Sequence, residues 1–269
     1  MSPALDPQPF DPEAFFAGLE VVGAPRELVA LGGTLEPASL AAAYRHGCFP
    51  WPSAGPDRAL TRLARRLARS GQVPVMPGPD ELVPWCSPEP RAVLLPSMLR
   101  VSRSLRRTLR SCGWHTTVDA AFADVLAGCA ERRETWITER MRQAYVGLHE
   151  RGGAHSVEVW DGDRLVGGLY GVLTGRVFSG ESMFHRETDA SKVALVDLLD
   201  RMREGGVQLL DTQQETEHMT SLGQVLVSRA EYVDVVRALR DRPAALATDR
   251  RPAARLVRAP EQDQAPVIG

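Results

Sequence analysis

Between residues 138 and 184 the hydrophobic period of the chain changes from that of a helix to that of a strand, and this switch limits the possible folds more than any other feature. Over 138–151, Met141, Ala144, Tyr145 and Leu148 recur at three- and four-residue spacing, the stripe of an amphipathic helix. From Ser156 the spacing is two. Ser156-Val157-Glu158-Val159-Trp160, a turn at Asp161-Gly162-Asp163, an apolar run over 165–173, a turn at Thr174-Gly175 and a run over 177–184 predict an antiparallel meander. A helix over 190–204, stopped by Gly205-Gly206, and a short buried strand over 207–211 follow.

With another helical pattern over 120–132, the order is helix, helix, three strands, helix, strand. That is an α/β (α+β) arrangement: an acetyltransferase-like C-terminal domain with a mixed, largely antiparallel sheet and flanking helices. The glycine-rich run whose amides would cradle the pyrophosphate of an acyl-CoA is missing from the sequence, so a CoA enzyme is disfavoured.

Upstream, residues 1–36 are Pro-rich and end in a Gly32-Gly33 turn. Glu36-Pro37 then opens a short helix that stops at Gly47, and Phe49-Pro50-Trp51-Pro52 cannot continue it, because proline lacks the amide hydrogen. Over 57–70, Arg58, Arg62, Arg65, Arg66 and Arg69 lie opposite Leu60, Leu63, Ala64 and Leu67, a basic amphipathic helix, and a Pro/Gly-rich connector over 74–84 follows. Beyond 240 the composition is Pro, Ala, Arg, Asp and Gln with little periodicity, so 241–269 is expected to be a disordered tail.

At 269 residues the chain is long enough to bury a core without staples, and Cys48, Cys86, Cys112 and Cys129 form no CxxC pair; reduced thiols are expected. No run of about 18 apolar residues occurs and the N-terminus has no apolar signal region, which reads as a cytoplasmic protein without a membrane partner. A net charge of −2 argues against a uniform coat for nucleic acid but leaves room for a local patch. Arg103, Arg106, Arg107 and Arg110 supply one: they align on one helical face without an acidic residue among them, a stripe suited to a polyanion backbone.

Glu181 stands in Phe178-Ser179-Gly180-Glu181-Ser182-Met183-Phe184, an otherwise apolar strand end, so it either pairs locally or faces a polar cleft. Asp211-Thr212-Gln213 follows the apolar 207–210, where an α/β sheet places ligands at the carboxyl ends of its strands; capping the next turn is the plainer role for such an Asp. The six histidines are scattered, with no HExxH, and no Gly-x-Ser-x-Gly elbow accompanies His218, so neither a metal site nor a serine hydrolase is indicated. Trp51 and Trp136 could stack bases, although each alone suits a core equally well.

Several phrases together resemble the leucyl/phenylalanyl-tRNA-protein transferase family. They are Leu31-Gly32-Gly33, Tyr44-Arg45-His46-Gly47-Cys48-Phe49-Pro50-Trp51, Ser87-Pro88-Glu89-Pro90-Arg91, Trp136-Ile137-Thr138, Ala154-His155-Ser156-Val157-Glu158-Val159-Trp160, Val166-Gly167-Gly168-Leu169-Tyr170-Gly171, Gly180-Glu181-Ser182-Met183-Phe184, Ala190-Ser191-Lys192 and Leu210-Asp211-Thr212-Gln213. They stand in the family's order from about 28 to 237.

The resemblance implies transfer of Leu, and less readily Phe or Met, from aminoacyl-tRNA to proteins that begin with Arg or Lys. The tagged protein enters the N-end degradation route, and the enzyme is a monomer without metal or cofactor. By matching position, the resemblance makes Asp211 and Gln213 the catalytic pair and Glu181 a polar group at the aminoacyl end. It makes Leu169, Phe178, Met183, Leu198 and Leu210 the aminoacyl pocket, Trp51 and Trp136 the adenosine-binding residues, and Arg103, Arg106, Arg107 and Arg110 the tRNA-backbone contacts. The resemblance also implies a small N-terminal domain, 1–98, with an Arg-rich insertion at about 52–84, and a catalytic domain over 99–240. Three departures stand out: the 52–84 insertion, Cys86 in place of a usual tryptophan, and Leu169 in place of a usual methionine. Surface insertions are often tolerated, so removing 57–78 is expected to leave tRNA binding and its salt dependence nearly unchanged. Another aminoacyl-tRNA transferase on the same fold, of the peptidoglycan type, and a non-catalytic tRNA-binding protein stay open.

Overall fold

The computed structural model describes residues 10–51, 58–78, 83–131 and 137–258. The chain enters through α1 (Pro12–Ala17), where the Asp11 side chain accepts the Glu13 amide, the usual way an orphan helical donor is satisfied. A small sheet follows from β1 (Leu28–Gly32), β2 (Phe49–Pro50), β3 (Val75–Met76) and β4 (Pro84–Cys86), in the order β2-β4-β1-β3. Between its strands run α2 (Pro37–Arg45), opened by proline at its first position, and α3 (Arg58–Arg69).

The larger sheet begins with β5 (Arg91–Leu94). Then come α4 (Arg103–Ser111), β6 (His115–Val118), α5 (Phe122–Ala130), α6 (Glu139–His149) and the meander β7 (Ala154–Asp161), β8 (Arg164–Thr174), β9 (Val177–His185). The chain continues through α7 (Ala190–Gly205), β10 (Leu209–Gln213), α8 (Glu217–Ser221), β11 (Val225–Val227), α9 (Arg229–Leu239) and β12 (Arg251–Pro252). The strand order is β11-β5-β10-β9-β8-β7-β6-β12; β9 and β10 run parallel and the other described pairs are antiparallel. The α+β class with a mixed, largely antiparallel sheet is therefore observed.

The last expected strand moves two residues on, from 207–211 to 209–213. Gly206 closes α7 at φ +76°, and Val207 and Gln208 are used to return to the sheet, their amides bonding Met202 O and Arg176 O.

Apolar side chains bury both faces of the large sheet. One cluster joins Phe122, Tyr145, Tyr170 and Phe184 to Phe16, Phe49 and Trp85 of the N-terminal part, so a single core runs under both sheets. The other packs α4 and α7 on the opposite face through Leu105, Val157, Leu169, Phe178, Leu198 and Leu210. The boundary expected at 98 shifts accordingly, because β5 already pairs with β10 and β11; the sheets part between Cys86 and Arg91.

Two expectations give way. Residues 241–258 are not a disordered tail: β12 pairs with β6, and Leu246, Ala253 and Leu256 are buried. The cause is Arg201, itself fully enclosed, which bonds Asp197 at 2.7 Å and reaches the carbonyls of Ala247 and Asp249, fixing this polar stretch where hydrophobic periodicity gave no sign. Nor is the insertion an independent surface loop. β3 pairs in parallel with β1, and Leu67, Val73 and Met76 are buried. Met76 Sδ occupies the space that a Cβ on Gly33, at φ +76°, would need.

Two of the four cysteines, Cys48 and Cys129, are buried, and all four are free. Among the described residues no helix is long and apolar enough to cross a membrane.

A stitched-in insertion makes a testable difference. Met76→Ala, read by denaturant unfolding, is expected to cost about 2–5 kcal/mol, as a large-to-small change in a core does; a surface insertion would give a change within about 0.5 kcal/mol.

Candidate functional site

The site is built on two interruptions of the sheet. Between β8 and β9 the register runs Tyr170 to Ser182 and then Gly171 to Gly180, so Glu181 is an extra residue with no partner opposite. Between β10 and β5 it runs Asp211 to Val93 and then Gln213 to Ala92, so Thr212 is extra in the same sense. Such bulges bend a strand and re-aim its side chains. Gly171 permits the first, since a Cβ there would collide with Ser179 O and the Phe178 ring. At the second, Gln213 adopts φ +66°, a conformation that non-glycine residues rarely take.

The bulges turn two side chains toward each other. Gln213 Nε2 donates to Glu181 Oε1 at 2.6 Å. Glu181 also accepts from Tyr44 of α2 at 2.5 Å and from Tyr145 of α6 at 2.9 Å, and the two tyrosine oxygens are 2.7 Å apart. Three short oxygen–oxygen approaches thus share only two hydroxyl hydrogens while Glu181 is ionised. A proton on the carboxyl supplies the third. Burial works the same way, lifting the Glu181 carboxyl from 4.5 to about 7 against the hydrogen bonds of Tyr44, Tyr145 and Gln213 that favour the carboxylate. A group poised near neutrality can take or release a proton at working pH.

Asp211 lies behind this pair, with no exposed surface. Its Oδ1 accepts from Arg91 Nε at 2.8 Å and from the Gln213 amide at 2.9 Å. Its Oδ2 accepts from Arg91 Nη2 at 2.7 Å, Tyr232 at 2.8 Å and Ser179 at 3.1 Å. Five donors leave no lone pair for a substrate. Arg91 is equally enclosed, between the rings of Phe49 and Tyr232 at 4.8 and 4.3 Å; burial opposes its charge, and the Asp211 carboxylate is the main influence that keeps it. Asp211 accordingly positions the backbone of Gln213 and cannot itself meet an amine.

The other residues expected from the sequence fall into place unevenly. Leu169, Phe178, Leu198 and Leu210 belong to one buried cluster with Met183 packed at its edge, and Leu169 faces Met183 across β8 and β9. Trp51 is 43% exposed, its ring 5.8 Å from that of Phe49 and hence one ring away from Arg91. Trp136 lies outside the described residues. On α4, Arg103, Arg107 and Arg110 are exposed, whereas Arg106 turns inward and donates to Val257 O at 3.3 Å.

Sequence reasoning missed Arg91, Tyr44, Tyr145, Tyr232 and Ser179 as parts of the site. Arg91 carried a legible signal, a lone cation opening the apolar run Ala92-Val93-Leu94-Leu95.

Comparison with known proteins completes the description. A family model described as leucyl/phenylalanyl-tRNA protein transferase matches residues 93–237, and one for the N-terminal domain of the same proteins matches 33–60. The chain is 47% identical over 225 residues to a leucyl/phenylalanyl-tRNA–protein transferase of Stutzerimonas stutzeri (strain A1501), covering 82% of this chain and 88% of the relative. It is 42% identical over 223 residues to one of Shewanella sp. (strain ANA-3), covering 81% and 84%. A third, of Shewanella baltica (strain OS185), is 40% identical over 240 residues, covering 88% and 91%.

The raised carboxyl of Glu181 has a consequence for stability. Between about pH 4.5 and 7 the folded chain holds a proton on this group that the unfolded chain has lost, so this contribution to stability falls as pH rises through that window. The slope is at most about 1.4 kcal/mol per pH unit. In Glu181→Gln, which cannot titrate, denaturant unfolding from pH 4.5 to 7.5 is expected to lack that component; an unchanged pH profile would mean that Glu181 is not the group responsible.

Proposed function

We propose, from the premise that this chain belongs to the leucyl/phenylalanyl-tRNA protein transferase family, that it transfers leucine, and less readily phenylalanine or methionine, from aminoacyl-tRNA to the α-amino group of proteins beginning with Arg or Lys. It is an aminoacyltransferase. The product is a protein with one added residue, marked for degradation by its new N-terminus, and the enzyme works as a monomer in the cytoplasm.

The observation that carries the residue assignment is the Gln213–Glu181 contact, held from behind by Arg91 and Asp211 and flanked by the apolar cluster of β8, β9, β10 and α7. The aminoacyl ester is already activated, so the enzyme has to place an amine, take up its proton and stabilise an oxyanion. The α-amine nitrogen attacks the ester carbonyl carbon, a C–N bond forms, and the C–O bond to the ribose breaks. The proton lost by the amine ends on the departing ribose oxygen, which leaves as a hydroxyl.

Gln213 meets the incoming amine through its amide oxygen, the group's acceptor, while its nitrogen donates to Glu181. Glu181, with its carboxyl near neutrality, holds that amide and is itself held by hydrogen bonds from Tyr44 and Tyr145. Asp211 is a positioning residue here. Leu169, Phe178, Met183, Leu198 and Leu210 form the walls for the aminoacyl side chain, and Met183 is the one that reaches the cluster's edge. Trp51, and Trp136 by its place in the sequence, stack the terminal adenosine. Arg103, Arg107 and Arg110 face the tRNA backbone.

The deciding reaction mixes the purified protein with leucyl-tRNA and a peptide beginning with Arg. Formation of Leu-Arg-peptide supports the reading; a protein that only binds tRNA, or one that aminoacylates cell-wall peptides, forms none. In the same assay Gln213→Ala is expected to be about 10²- to 10³-fold slower with its unfolding midpoint retained. Turnover at the wild-type rate in Gln213→Ala removes Gln213 from the chemistry.

A further inference from the structure

Helix α3 presents a second cationic surface that the transfer chemistry does not use. Its twelve residues, Arg58–Arg69, contain five arginines and no acidic residue. Arg62, Arg65, Arg66 and Arg69 recur at three- and four-residue spacing and so share one face. Arg65, Arg66 and Arg69 are exposed, and no ion pair joins them to another described residue. A face that serves only solubility mixes charges of both signs; this one does not.

The helix is also held in a defined place. Leu67 packs on Leu31 of β1 and on Val73, and β3 then pairs with β1 beside it. Leu31 stands opposite Pro84 of β4, and on the other side of the same Pro84 the Trp51 amide donates to its carbonyl at 2.9 Å. Trp51 and the seat of α3 are therefore at the same end of the small sheet, two strand spacings or roughly 10 Å apart. The apolar Leu67 of α3 is spent on Leu31 and Val73, and what the helix exposes at Arg65, Arg66 and Arg69 is cationic, which favours a polyanion that binds by its phosphates.

We infer that the exposed arginine face of α3 is an added arm for the phosphodiester backbone of the aminoacyl-tRNA, contacting phosphates close to the terminal adenosine. The two family models match 33–60 and 93–237, so most of α3 and all of β3 lie in the stretch between them. This rests on the proposed function, in which Trp51 receives the terminal adenosine. It reverses the expectation that the insertion has no part in tRNA binding.

The test uses the full-length protein and its triple variant Arg65→Gln/Arg66→Gln/Arg69→Gln, with two donors: leucyl-tRNA, and leucyl-adenosine, which has no phosphate. Affinity for leucyl-tRNA is measured across a salt series. The variant is expected to bind leucyl-tRNA about ten- to hundredfold more weakly near 0.1 M salt. The dependence of log affinity on log salt should become shallower by about 2, close to 0.7 for each of three lost phosphate contacts on single-stranded RNA. Transfer from leucyl-adenosine to an Arg-initiated peptide should match the wild type. Wild-type affinity and salt slope in the variant overturn the inference while wild-type transfer still upholds the proposed function. An equal loss with leucyl-adenosine also overturns it, since the arginines would then act through the fold. So does a variant that keeps tRNA binding and loses only adhesion to anionic vesicles. Failure of the wild type to transfer from either donor is a failure of the proposed function itself, and the inference falls with it.

Discussion

The buried ion pair between Arg91 and Asp211 is the interaction on which the rest of the site depends. Neither side chain has any exposed surface, and every nitrogen and oxygen of the two charged groups makes a hydrogen bond. Such a pair contributes little net stability, because desolvating two charges costs about as much as their attraction returns. Removing one partner is a different matter, since it leaves a buried charge without compensation and costs about 3–5 kcal/mol. What the pair supplies is position. Arg91 opens β5, Asp211 sits on β10, and Tyr232 from α9 and Ser179 from β9 close on the same carboxylate, so four elements meet at one group.

From that anchor the geometry passes outward in two steps. Asp211 Oδ1 receives the Gln213 amide and holds it in a left-handed conformation that a glutamine would otherwise avoid. Gln213 in that conformation meets Glu181, which the bulge in β9 has left without a strand partner. Each bulge alone would merely spoil a ladder. Together they bring an amide and a carboxyl into contact beside the apolar cluster, where burial favours the protonated acid.

The fold was legible where periodicity was strong. The meander, α7 and the helices before it follow directly from period-two and period-3.6 patterns, and the family's motifs marked Glu181, Asp211 and Gln213. Roles were less legible than positions. Asp211 reads in sequence as a polar residue facing a ligand, yet it is sealed, because what decides its exposure is an arginine 120 residues away that no local pattern links to it. Tyr145 reads as one more member of an apolar stripe because periodicity registers its ring and is blind to its hydroxyl. Residues 241–258 read as a polar tail for the same reason: their order comes from carbonyls bonded to one buried arginine, not from apolar spacing. Met76, in a Pro/Gly-rich stretch, gave no sign of a strand because two residues are too few to show alternation.

The central claim is that Arg91 and Asp211 act as one unit whose purpose is to position Gln213. A double-mutant cycle with Arg91→Met, Asp211→Leu and the pair, read by denaturant unfolding and by transfer to an Arg-initiated peptide, tests it directly. Each single change is expected to lose about 3–5 kcal/mol, and the double to recover most of that loss, because no charge is then left buried alone. Transfer is expected to stay low in the double variant, which has a core but no acceptor for the Gln213 amide. Additive stability losses, or wild-type transfer in the double variant, would contradict the account.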